Sequence, residues 1–269
     1  TNDFTEGKIL PKLIGFAFPV LLALFLQAMY GAVDLLVVGQ FSSAAAVSAV
    51  STGSQIQQSV TTVITGIAMG ITVLVGQKIG EKHPHEAGMI IGSGIAMFSV
   101  IAVILTILMT CGASSLSALM QAPEEAFSET TAYIRICSAG AVFIIAYNVL
   151  GSIFRGIGDS KMHLITVAIA CVINIAGDLL FVAGFHWGAA GAAAATVLAQ
   201  AVSVLLSFLI IRKRALPFTM KRTDLRFNLP VIGKILKLGC PIALQDFLVS
   251  ISFLVIIAIV NRMGVIASA

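Results

Sequence analysis

The feature that most constrains this chain is a series of long apolar runs, each near the ~20 residues needed to cross a bilayer as a helix. They fall at about 13–38, 53–76, 87–111, 134–154, 162–184, 189–211 and 238–260. The softer Ala/Ser/Gln-rich stretch 44–59 reads as the turn into the second run. Only 10% of residues are charged and the mean hydropathy is +1.04, against about 25% charged in soluble domains. The sequence therefore predicts an all-α, polytopic membrane protein. The polar arm TNDFTEGKILPK leads into a helix longer than any short signal-peptide core, so no cleavable signal is expected.

Charge gives orientation. Every lysine and arginine except Arg135 and Arg262 falls in the N-terminal arm or in the second, fourth and sixth connections. The bias of Lys and Arg towards cytoplasmic loops puts the N-terminus in the cytoplasm and the chain in the cytoplasmic membrane. It also accounts for the net charge of +4 without nucleic acid as a partner. The motif FRGIGDSK, with Arg155, Asp159 and Lys161, reads as a cytoplasmic anchor and turn in a short basic loop on the inner side. His83, His85, His163 and His186 sit in loops or at helix ends without metal-binding spacing. The single, unpaired Cys111, Cys137, Cys171 and Cys240 read as buried packing thiols. Gly66/Gly70 and Gly76/Gly80 are spaced for close helix contact.

Against this background the acidic residues inside the runs stand out. Asp34, Asp178 and Asp246 lie deep in apolar sequence, and an Asp at mid-bilayer costs about 2.5–3.5 kcal/mol on insertion scales. Residues three and four apart share a helix face. Asn174 and Asp178 thus point the same way, and Gln27, Tyr30 and Asp34 form a stripe on the first helix. With the first and fifth helices both running outward, Asp34 and Asp178 come to one depth in the outer half, with Thr196 of the sixth helix near them. Two carboxylates in low dielectric need a proton or a cation to offset their charge, and an amide and a hydroxyl complete an oxygen-only site suited to H⁺ or Na⁺. Asp246 is read either as part of a second pathway or as a partner of Gln245.

The chain also repeats itself. KLIGFAFPVLLALFLQAMYGAVDLLVVG (12–39) resembles KILKLGCPIALQDFLVSISFLVIIAIVN (234–261), with Pro19 matching Pro241 and AAVSA (45–49) echoed by Ala267-Ser268-Ala269. Transporters are commonly built from two such repeats. The expected organisation is a six-helix transmembrane lobe at 1–211, a basic cytoplasmic inter-lobe loop at 212–237, and the first helix of an incomplete C-terminal lobe at 238–269. The remainder of that lobe is expected to be missing from this chain.

Several motifs occur together: Pro19, Val33-Asp34, Val38-Gly39, AAAVSAV, GIAMGITVLVGQKIG (66–80), FRGIGDSK (154–161), NIAGDLL (174–180) and GAAGAAAAT (188–196). In order and spacing the chain resembles the multidrug and toxic compound extrusion (MATE) transporters. Ser42 stands where some members carry Gly, and Asp246 is out of register with an acidic residue some carry in the seventh helix. The resemblance implies a non-enzymatic, ion-coupled antiporter without an organic cofactor, exporting drug-like cationic or amphipathic compounds from the lipid-embedded protein. It implies that Asp34, Asn174, Asp178 and Thr196 bind H⁺ or Na⁺, that Gln27 and Tyr30 line the drug cavity, and that the first helix bends near Pro19. Two alternatives bear on the same residues. Lipid-linked oligosaccharide or polysaccharide flippases share the superfamily but line their cavities with basic residues, which the spans here lack. GxGD-type intramembrane proteases would use Gly156-Ile157-Gly158-Asp159, yet they need a second Asp facing the first.

Overall fold

The computed structural model describes residues 8–120, 122–213, 217–218 and 222–262. Its helices are α1 (Ile9–Phe41), α2 (Ala44–Gly80), α3 (Pro84–Leu119), α4 (Glu124–Ala139), α5 (Ala141–Gly156), α6 (Ser160–Asp178), α7 (Gly188–Lys213) and α8 (Leu229–Arg262). A π-helical turn, Leu179–Gly184, continues α6, and a short 3₁₀ turn, Arg222–Asp224, precedes α8. Five of these are long and apolar enough to cross a membrane: α1, α2, α3, α6 with its π turn, and α7. The pair α4 and α5 makes a sixth if it counts as one span. The chain is a multi-pass membrane protein, and large apolar residues such as Leu21, Phe25, Leu36, Leu108 and Val172 are turned outward from the bundle.

The expected turn at 44–59 is instead the first four turns of α2. Ser43 caps this helix by accepting the N–H of Ala46 at 3.1 Å, and the alanine run favours helix. Ala46, Ala49, Val50 and Gly53 are buried there, and a Cβ on Gly53 would collide with the ring of Tyr133. The expected fourth span, 134–154, is also not one straight helix. It breaks at Gly140, where α4 and α5 meet at 57°. A Cβ on Gly140 would strike the Val197 side chain, so the break makes the notch into which α7 packs.

The expected inter-lobe loop 212–237 is helical from Leu229 onward. The first half of α8 packs on α2 through glycines. A Cβ on Gly66 would lie 2.5 Å from Ala243 Cα, and Cβ atoms on Gly70 and Gly239 would meet the carbonyls of Ile235 and Ile67. The close approach read from Gly66/Gly70 is thus present. Gly80 faces open space instead. Around this seam Ile71, Val75, Ile91, Phe98, Phe154 and Ile235 form the largest apolar core. The expected seventh span, 238–260, falls in α8. Most of its side chains beyond Ser250, and the Ala267-Ser268-Ala269 echo, lie outside the described residues.

The reading of all four cysteines as buried is corrected. Cys137 and Cys171 are buried, but Cys111 and Cys240 are exposed, because each sits on the outward face of its helix. Arg155, read as part of an anchor and turn, is half-buried; its guanidinium lies 3.3 Å from His163 Nε2 and donates to Ser152 Oγ at 3.0 Å. His163 is itself buried and packs against Gly151, where a Cβ would leave only 3.0 Å to the ring.

Candidate ion site in the helix bundle

Small residues decide where α6 and α7 meet. A Cβ on Gly177 would come within 2.9 Å of Ala195 Cβ, and one on Gly191 would crowd the Phe181 backbone at 3.1 Å. Ala192, Ala193 and Ala195 are fully buried. Such residues let membrane helices approach closely, and the approach brings Thr196, the next residue along, up to Asn174. From the other side α1 packs chiefly on α6 and presents Asp34.

The four residues picked out in the sequence come together here, 6% (Asp34), 1% (Asn174), 0% (Asp178) and 9% (Thr196) exposed. Asn174 Nδ2 donates to Asp34 Oδ1 at 3.3 Å and to Thr196 Oγ1 at 3.4 Å. Thr196 Oγ1 donates in turn to Asp34 Oδ2 at 3.4 Å. Asp34 therefore has a donor on each carboxylate oxygen. Asp178 adjoins Asp34 closely enough to interact with it, yet both of its oxygens are buried with no hydrogen-bond donor among the described residues. Asn174 Oδ1 is likewise unpartnered. A buried carboxylate left in this condition is strongly unfavourable unless a proton or cation satisfies it. Among the described residues no cluster of three or more His, Cys, Asp or Glu could hold a metal ion, and the donors present are two carboxylates, an amide and a hydroxyl. That set is hard and oxygen-based, which suits H⁺ or Na⁺ rather than a thiophilic metal.

Asp178 is the last residue of α6 before the π turn. π turns are rare and concentrate at functional sites. Here one is held by Phe185 N–H donating to Leu180 C=O at 2.9 Å and Trp187 N–H to Phe181 C=O at 3.0 Å. The rings of Phe181 and Trp187 stack at 5.4 Å and 9°.

Tyr30 is beside Asp34 and Gln200. Gln27 Nε2 donates to the hydroxyl of the buried Tyr147 at 3.4 Å. Pro19 is buried inside α1. Asp246 is exposed on α8 and its backbone carbonyl accepts Ser250 Oγ at 2.9 Å, so the structure does not bring it to the cluster. Asp159 caps α6 by accepting Met162 N–H at 3.1 Å. It sits about 28 Å along the helix from Asp178 at 1.5 Å per residue, which removes the paired aspartates an intramembrane protease requires. Sequence reasoning missed Gln200, a buried residue one turn beyond Thr196 on the same face. The i+4 spacing could have found it.

The chain is similar to known proteins along nearly its whole length. It is 29% identical to the probable multidrug resistance protein YpnP of Bacillus subtilis, over 97% of this chain and 58% of that protein. It is 24% identical to the multidrug export protein MepA of Staphylococcus saprophyticus, over 94% of this chain and 56% of that protein. Among solved structures, a MATE protein in the bent conformation matches with a TM-score of 0.90 at 23% identity, covering 98% of this chain and 59% of the other. The chain thus spans little more than half the length of the relatives it matches. The MatE family model matches residues 19–180, a range that holds Pro19, Asp34, Asn174 and Asp178, and the chain belongs to that family.

Proposed function

We propose that this chain forms the N-terminal lobe and the first helix of the C-terminal lobe of an ion-coupled exporter of drug-like small molecules. The observation that carries the reading is Asp178, a buried carboxylate beside a second carboxylate and without a donor of its own. A proton or Na⁺ arriving from outside would satisfy it, while Asp34 already has its charge met by Asn174 and Thr196. The relatives are named for multidrug resistance and multidrug export, which supports drug-like small molecules as substrates; in this reading they are cationic or amphipathic.

In this reading the N-terminus is cytoplasmic and a second six-helix lobe completes the protein. Ion binding at Asp34 and Asp178 pulls on α1, which has a weak point at Pro19, where the ring removes a backbone hydrogen bond. The shift of α1 changes the surface around Gln27 and Tyr30, and so exchanges ion entry for drug release.

Drug export from vesicles holding the complete two-lobed protein tests this, with wild type compared against Asp34→Asn and Asp178→Asn under separate H⁺ and Na⁺ gradients. Loss of gradient-driven export in both folded variants is expected, and the active gradient names the ion. Normal pumping by both would refute the assignment.

A further inference from the structure

The acidic cluster is not the end of the buried polar surface. Along α7 beyond Thr196 come Gln200, Ser203 and Ser207, at spacings of four, three and four, so all share one face. All are buried. Ser203 Oγ donates to the Thr166 carbonyl at 2.8 Å, and Ser207 Oγ donates to Thr166 Oγ1 at 3.4 Å. One turn further along α6 is His163, and beside it Arg155. Polar side chains therefore descend from the cluster to the inner end of the bundle, about 22 Å along α6 from Asp178 to His163 at 1.5 Å per residue.

Ser203 by itself is ordinary interhelical bonding. Arg155 is not explained that way. Its hydrogen bonds go to Ser152 and His163, its Nε is buried without a partner, and among the described residues no carboxylate forms an ion pair with it. A half-buried charge with no ion-pair partner is costly to keep. The exchange proposed above gives it a use. An antiporter fails if its ion crosses without substrate, and a file of hydroxyls and amides leading inward from the ion site lowers the barrier to such a leak. A fixed positive charge on that file raises it again, as arginines do in pores that exclude cations.

We propose that Arg155 is the electrostatic barrier that keeps a cation held at Asp34 and Asp178 from passing along the α6–α7 polar file to the cytoplasm. The proposal rests on the ion-coupled reading.

The test is passive H⁺ and Na⁺ influx into proteoliposomes of the complete protein, without drug, under an inward gradient. Arg155→Gln removes the charge. Ser152→Asp leaves the arginine in place and neutralises it with a neighbour, which serves if the first variant folds poorly. Both are expected to raise influx several-fold, with Arg155→Lys close to wild type. Adding Asp34→Asn and Asp178→Asn is expected to abolish the leak, since its entry is through the cluster. Arg155→Gln and Ser152→Asp both as tight as wild type would overturn the barrier, as would a leak that persists without the two aspartates. If Asp34→Asn and Asp178→Asn alone leave drug export normal, the coupling reading fails first and the barrier falls with it.

Discussion

Replacing Gly66 by alanine is the sharpest test of how α2 and α8 are joined. The added Cβ would sit 2.5 Å from Ala243 Cα, 2.7 Å from its Cβ and 2.8 Å from its N. Carbon atoms in good contact are about 3.5–4.0 Å apart. Backbone cannot swing aside as a flexible side chain would, so the helices must separate by about 1 Å to restore that distance. Overpacking of this kind costs about 1–3 kcal/mol, or a fall of about 2–4 °C in melting midpoint per kcal/mol for a chain of this size. Gly112→Ala in α3 is the contrast: its Cβ would meet nothing within 4 Å, so only helix propensity acts, a gain of about 0.5–1 kcal/mol. Thermal unfolding in detergent reads both. The pair Gly66→Ala with Gly239→Ala should also cost less than the sum, because the first substitution already opens the seam at Ile67. The reasoning is refuted if Gly66→Ala melts at or above wild type, or if the two losses simply add.

Three further outcomes are expected. Thr196→Val or Asn174→Ala removes one donor from Asp34, and hydrogen bonds to charged groups contribute about 1.5–3 kcal/mol. The ion concentration giving half-maximal transport should therefore rise or fall by about tenfold or more, and an unchanged midpoint would count against the cluster. Trp187→Ala removes the stack on Phe181, a pair of a kind that contributes about 0.5–1.5 kcal/mol beyond burial; the melting midpoint should drop, and Trp187→Phe should recover most of it. On the surface, Lys78 lies 2.7 Å from Glu81, and this hydrogen bond, followed by that from His83, holds the Glu81 carboxyl below its usual range. The pairing is complete above the ordinary carboxylate range and is lost as pH falls through the lowered value, so Lys78→Met should move the Glu81 titration upward by NMR.

The acidic cluster was legible because its signals are loud: carboxylates inside apolar runs, a helical i, i+4 pair, and an orientation that fixes depth. Gln200, Ser203 and Ser207 were not singled out, since a hydroxyl or amide on an apolar helix can bond its own backbone and carries no cost that demands a partner. The contacts of Arg155 were not legible, because its neighbours Asp159 and Lys161 look like an exposed loop. Its contact with His163 depends on α6 folding back so that the imidazole lies against Gly151. The break at Gly140 depends on Val197, a contact 57 residues away in sequence, and no local pattern encodes it. The start of α2 was lost to a preference for apolar runs over capping, although Ser43 followed by three alanines is a helix-start signal in plain view.

The partners of Asp34 carry a consequence for how the chain is made. Its amide partner, Asn174, lies 140 residues later. At about 5–20 residues per second, α1 waits on the order of ten seconds for that helix to be synthesised. During this interval the aspartate must remain near the lipid headgroups, pair with the insertion machinery, or hold a proton, since at mid-bilayer it costs about 2.5–3.5 kcal/mol. Of the candidate spans, the one that buries the smallest share of its apolar length is thus made well before the helix that secures it, so the quality control of this protein falls on the moment when α6 arrives.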